Sequence, residues 1–179
     1  ESIEYLWKCH ESVMNQTHEC LHVMVADGFP NSEINDWNVD HIILPQAHGD
    51  NGSTPRLIGS YHAIGLGYDA VAYLDADNWY TNNHIESLIE LHKNTGANFL
   101  SCSRFLCRLD GSIMGDCKQT DPNKFIDTSC MMFIKSSFFI LGNWVLMPKY
   151  MQPLCDRVML YWIKRSGIAH AHVNSQNVF

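Results

Sequence analysis

Helix-like and strand-like patterns alternate through the first hundred residues, and this alternation limits the chain to a layered α/β architecture with a mostly parallel sheet. SIEYLWKCHESVMNQ puts Ile3, Leu6, Trp7, His10, Val13 and Met14 on one helical face, behind Ser2 as N-cap. CLHVMVADGFP reads as a strand closed by an Asp27-Gly28 turn and Pro30. HIIL is a short strand stopped by Pro45, and HGDNGSTPR is a polar, glycine-rich loop. RLIGSYHAIGLGYD is helical up to Gly67, and AVAYL is a buried strand. NNHIESLIELHKNTG is a helix capped at Asn82, with Ile85, Leu88, Ile89 and His92 on one face and Gly96 at its end.

The second half continues with a strand and a hairpin turning at Asp110-Gly111 in ANFLSCSRFLCRLDGSIM. DTSCMMFIKSSFFIL is a strand leading into a short helix, and PLCDRVMLYWIKRSG is a helix with Pro153 near its start and Gly167 past its end. IAHAHV alternates like a strand. No repeat, low-complexity tract or linker interrupts the 179 residues, which predicts one domain over 1–179. The net charge of −7 argues against nucleic acid or an anionic membrane as the main partner, though a metal ion can reverse the sign locally. The seven cysteines form no C-x-x-C pair, and Cys9 and Cys107 sit among apolar positions. That usage predicts a reducing cytosol and no disulfide framework. No apolar run reaches the length of a membrane span.

The chemistry concentrates in AVAYLDADNWY, residues 70–80, where an apolar run ends in two aspartates one residue apart. In an extended segment residues i and i+2 point the same way, so Asp75 and Asp77 converge. Two uncompensated carboxylates repel and lose hydration at the end of a buried strand, a penalty that Mg²⁺ or Mn²⁺ removes. Such ions take one or two protein carboxylates and leave positions for phosphate oxygens. In a mostly parallel sheet the ligand crevice lies at the carboxyl ends of the strands, so Asp27 and Asp75-Ala76-Asp77 face one ligand on this reading. An EF-hand beginning at Asp75 is excluded by Trp79 and Tyr80 in two of its required positions. A dehalogenase-type phosphatase places its D-x-D near the start of the domain, whereas this one is mid-chain.

VMVADGFPN, then TPRLIGSYHAIGLGYDAVAYLDADNWYTNNHIESL, then DTSCMMFIKSSF, then LCDRVMLYWIKRSGIAHAHVNS resemble, in that order, the GT-A glycosyltransferases of the inverting family-two type. The resemblance implies a GT-A (Rossmann-like) layered α/β fold. It implies that Asp27 contacts the base or ribose, that Arg56 helps to hold the diphosphate, and that Asp75 faces the ribose or metal. Asp77 is then the more direct ligand of Mn²⁺ or Mg²⁺, and Asp156 in LCDRVM is the catalytic base. Many members have Glu before this Asp; here it is Cys155. Some GT-A enzymes complete the metal shell with a late histidine. His170 and His172 share one side of their strand, and His172 is the favoured candidate.

The family begins with a strand and nucleotide-binding loop that this sequence lacks, so the active protein is expected to be longer at its N-terminus. The Q-x-x-R-W motif of processive synthases is absent as well. The expected activity moves a sugar from a nucleoside-diphosphate sugar, by family frequency a UDP-sugar, to a carbohydrate or other acceptor hydroxyl, with inversion. Trp79, Tyr80, Trp144 and Tyr150 are candidates to stack on sugar rings, and for the last two packing is the favoured role. A nucleotidyltransferase and a non-catalytic sugar-nucleotide-binding domain are the rival readings.

Overall fold

The computed structural model describes residues 2–108, 110–117 and 121–179. Helix α1 (Ile3–Met14) starts at Ser2, whose hydroxyl accepts from the Tyr5 amide, and buries Cys9, His10 and Val13. Trp7, expected inward, is half exposed; its ring packs edge-on against Trp37. Strand β1 (Val23–Asp27) pairs in parallel with β2 (Asp40–Leu44), from Val23 opposite Asp40 to Asp27 opposite Leu44. Gly28 ends β1 at φ 82°, where a Cβ would stand 2.3 Å from the Ala47 amide nitrogen. Only glycine fits this corner, so the chain must turn directly after Asp27.

Helix α2 (Ser53–Gly65) leads to the short strand β3 (Ala70–Ala72), and helix α3 (His84–Thr95) follows. Asn83, not Asn82, occupies the N-cap of α3, and its side chain makes no capping bond. Gly96 closes the helix in the left-handed region, its amide donating to His92. Strand β4 (Phe99–Cys107) forms the expected hairpin with β5 (Ile113–Asp116). Then come β6 (Met131–Ile134), the short helix α4 (Asn143–Leu146), a 3-10 turn over Lys149–Leu154 that contains Pro153, helix α5 (Cys155–Ser166) and strand β7 (His170–Val178).

Strand β6 lies antiparallel between β3 and β4, and β7 runs parallel to β4 on its other side. Strands β3, β4 and β7 therefore share one direction, and β5 and β6 oppose it. The core gathers on this sheet: Leu88, Phe99, Leu100, Met131, Phe133, Trp144 and Met159 are fully buried. Full burial of one such side chain stabilises by about 1.5–3 kcal/mol.

Among the described residues β1 pairs only with β2, and β3 only with β6. Two cavities of about 560 and 460 Å³ lie between the facing edges of β1 and β3. The smaller is lined by residues 18–23 and 68–72 and the larger by 22–27 and 71–76, so the two strands run side by side in the same direction. The slot leaves two rows of backbone donors and acceptors unpaired. Seating one extended segment there would pair both edges. A version of the chain extended at its N-terminus by a strand and a short loop is accordingly expected to have a higher Tm than residues 1–179 alone. Equal Tm values would show that the slot takes no strand.

Candidate functional site

At the carboxyl ends of β1 and β3, Asp27, Arg56 and Asp75 all line the larger cavity. Arg56 lies in the first turn of α2, behind Gly52. Its Nη2 donates to Asp75 Oδ1 at 2.6 Å and its Nη1 to the Asn51 carbonyl at 2.7 Å. Burial alone lowers the Arg56 pKa, but the Asp75 carboxylate outweighs it and the net shift is upward. The guanidinium is thus a fixed positive charge at the mouth of the cavity. Asp27 is held by the glycine-rich loop: His48 Nδ1 stands 2.5 Å from Oδ1, and the His48 amide donates to Oδ2 at 3.0 Å. Burial raises the Asp27 pKa, yet the His48 hydrogen bonds win and its net shift is downward.

Asp75 and Asp77 do not sit on an extended strand. Strand β3 ends at Ala72, and the Asn78 amide donates to the Asp75 carbonyl at 2.9 Å, which folds Asp75–Asn78 into a turn. The i, i+2 alternation behind the expected convergence therefore does not apply. Asp75 faces the larger cavity, while Asp77 lines a separate one with Trp79, Arg104 and Phe179. Ser129 pins this turn. Its buried hydroxyl accepts from the Asp75 amide at 3.1 Å and from Asn78 Nδ2 at 2.9 Å.

Asp156 lies in the first turn of α5, where its Oδ1 accepts from the Arg157 amide at 2.6 Å. The preceding Cys155 meets Arg56 Nη1 at 3.9 Å, which brings the start of α5 against the Arg56–Asp75 pair. Burial raises the Asp156 pKa above its ordinary value, and Arg157, Arg104 and Arg56 only partly counter it. Asp127 joins this group, although the sequence reading missed it. It pairs with Arg104, and its Oδ1 accepts from the Ser129 amide at 3.0 Å. Burial raises its pKa too; Arg104 opposes the rise, while Asp75 and Asp156 add to it. DTS at 127–129 carries the pattern of a turn in which Asp caps the following amides, the one sign that could have marked Asp127.

His172 does not join Asp75 and Asp77. Its Nδ1 is 2.8 Å from Ser101 Oγ and its Nε2 3.3 Å from Ser103 Oγ, so strand β4 occupies both ring nitrogens. His170 shares Ser101 at 2.8 Å, so the two histidines do share a side. Burial lowers both pKa values, that of His170 to about 4, and keeps the rings neutral. Among the described residues no three His, Cys, Asp or Glu side chains gather as a metal cluster. Of the expected shell of Asp75, Asp77 and His172, the histidine is engaged by β4 and the two carboxylates line different cavities on one turn. Hard oxygen donors in that number suit Mg²⁺ or Mn²⁺ only when substrate phosphates complete the coordination.

The aromatic candidates divide by burial. Tyr80 is buried, donates to the Tyr73 carbonyl and stacks on His84, which removes it as a sugar platform. Trp144 is core, with Nε1 donating to Tyr73 Oη at 3.0 Å. Trp79 stacks on Phe179 under the Lys8 ammonium beside Asp77. Tyr150, expected in packing, is exposed instead.

Residues 1–153 match the family model described as glycosyl transferase family 2. No curated protein matches the chain. Among solved structures, that of S. aureus TarS superposes with a TM-score of 0.77 at 10% identity, covering 98% of this chain and 34% of that one. The structure of S. aureus TarS 1-349 in complex with UDP gives 0.74 at 10% identity, covering 98% and 56%. The complex of TarS 1-349 with UDP-GlcNAc gives 0.75 at 10% identity, covering 98% and 54%. The chain thus spans between a third and just over half of the structures it resembles, and at this identity the likeness shows the fold.

The Ser129 hydroxyl yields a direct test of how the turn is held. In Ser129→Ala the half-buried Asp75 amide loses its acceptor, at a cost of about 1–3 kcal/mol. Chemical denaturation should read that loss, and hydrogen exchange should show faster exchange at Asp75. Unchanged protection there would show that the turn holds itself.

Proposed function

The chain belongs to glycosyl transferase family 2, and from that premise we propose that it moves a sugar from a UDP-sugar to a hydroxyl of a carbohydrate or other acceptor, with inversion. The observation that carries this reading is the gathering of Asp27, Arg56 and Asp75 around one cavity at the carboxyl ends of β1 and β3, with the start of α5 against it. The complexes of TarS 1-349 with UDP and UDP-GlcNAc, on a superposable fold, support a nucleotide sugar as donor.

Each group has a role that follows from its surroundings. Asp27 accepts hydrogen bonds from the ribose or base once a ligand displaces His48. Arg56, held charged by Asp75, opposes the diphosphate. Asp75 and Asp77 would hold Mg²⁺ or Mn²⁺, which when bound neutralises charge on the diphosphate leaving group. Asp156 takes the proton of the acceptor hydroxyl. A carboxylate whose pKa is raised by burial is a stronger base than an exposed one. Attack from the face opposite the leaving diphosphate inverts the anomeric centre. Asp127, paired with Arg104, feels the negative charge of Asp156, which raises its own pKa.

Two substitutions test the roles separately. Asp77→Asn should remove the Mn²⁺-dependent part of UDP affinity, read by titration calorimetry with and without the ion. An affinity in Mn²⁺ equal to that of the parent would refute the metal role. Asp156→Asn should leave UDP binding intact while transfer falls by about 10²–10⁴-fold, the usual contribution of a general base. The raised pKa also fixes the sign of the stability change. A buried carboxylate with a raised folded pKa stabilises the fold below its unfolded pKa, and that stability is lost as pH rises through the folded value. Asp156→Asn should therefore not lower Tm at neutral pH. A lower Tm with unchanged transfer would make Asp156 a helix-capping charge only.

A further inference from the structure

We propose that the outward face of the helical layer α2, α4 and α5 seats on an anionic phospholipid surface. Helix α4 packs against both α2 and α5, and Tyr61 of α2 lies against Gly142 at the start of α4, so the three form one continuous layer. Its inward side supplies core residues such as Trp144, Met159 and Ile163. Its outward side leaves large apolar groups in water: Tyr61, Leu146, Tyr150, Leu154, Tyr161 and Trp162, with Leu146 76% and Tyr150 81% exposed. Exposed apolar surface on this scale, rimmed by polar groups, marks an interaction site.

Charge identifies the partner. Residues 53–66 and 135–166, which build the layer, hold six of the twelve Lys and Arg but one of the nineteen Asp and Glu. Arg56 is paired with Asp75 and Lys135 with Asp69, which leaves Lys149, Arg157, Lys164 and Arg165 against Asp156, a formal charge of +3 on the layer. Lys149 and Arg165 form no salt bridge among the described residues, and the Arg165 guanidinium lies 5.7 Å from the Tyr161 ring centre. Aromatic rings beside Lys and Arg, with leucines between, are the composition that settles at the boundary of headgroups and acyl chains. A second copy fits less well, because a two-fold interface would set this basic face against itself. A nucleic acid offers no apolar medium for Leu146 and Leu154. No helix among the described residues is long and apolar enough to cross a membrane, so contact is from one side. The proposal requires neither donor nor metal and stands apart from the transferase reading.

Vesicle flotation tests it. The chain should float with phosphatidylcholine vesicles that contain phosphatidylglycerol, should not float with phosphatidylcholine alone, and should be released by salt. Lys149→Glu with Arg165→Glu reverses two exposed charges and should weaken binding by at least about 25-fold, from about fivefold for each basic residue removed. Leu146→Ser with Tyr150→Ser should also abolish flotation without changing Tm, since both residues are exposed. Failure to float with the anionic vesicles, or equal flotation with both vesicle types, would overturn the proposal. So would a concentration-dependent dimer that the Leu146/Tyr150 variant dissolves, which would assign the face to a second copy.

Discussion

The ion pair between Arg56 and Asp75 is the contact on which the rest of the arrangement depends. Among the described residues strands β1 and β2 share no backbone pairing with the larger sheet, and the slot between β1 and β3 separates them. Helix α2 bridges this gap. It packs on β1, and it reaches the segment that follows β3 through Arg56 to Asp75 and through Ser60 to Tyr73 at 2.8 Å, and the turn before α5 through Ser53 to Gln152 at 2.7 Å. The same guanidinium that joins the two parts stands at the mouth of the cavity. Structural cohesion and the candidate phosphate-facing charge thus rest on one side chain.

Around that pair the balance of charge is tight. The charges of Asp75 and Asp156 raise Asp127, Arg104 counters that rise, and Arg157, Arg104 and Arg56 counter the rise at Asp156. Desolvation raises Asp127 and Asp156 by penalising their charged forms, and the arginines recover only part of that cost. A site of this kind holds proton acceptors stronger than surface carboxylates. It also holds them at some expense in stability, as strained functional sites commonly do.

The order of elements was legible in the sequence because each is marked locally. Asp27-Gly28 forces a corner, Gly96 and Gly167 end helices, and the hairpin turns at Asp110-Gly111. The places of Asp27, Arg56 and Asp156 at the ends of their elements followed from the same local marks. What failed to show depends on partners far along the chain. His172 is engaged by Ser101 and Ser103 only because β7 lies beside β4. Tyr80 is buried because its backbone bridges to Val178. The turn at Asp75–Asn78 is pinned by Ser129, more than fifty residues away, and alternation along a single strand cannot anticipate it. Asp127 escaped notice for the same reason: its partner Arg104 lies on β4, far from it along the chain. The basic helical layer was hidden by the net charge, which averages two opposed regions into one modest negative number.

The most direct test of the account is hydrogen–deuterium exchange of residues 1–179 with and without UDP and Mn²⁺. The account predicts new protection at three separated stretches together: the end of β1 around Asp27, the first turn of α2 around Arg56, and the turn at Asp75–Asn78. A ligand that binds only the folded state stabilises it by about 2.7 kcal/mol at a hundredfold excess over Kd, so the change is readable. Protection absent from all three stretches, or confined to the β4–β7 edge around His172, would contradict the placement of the nucleotide site.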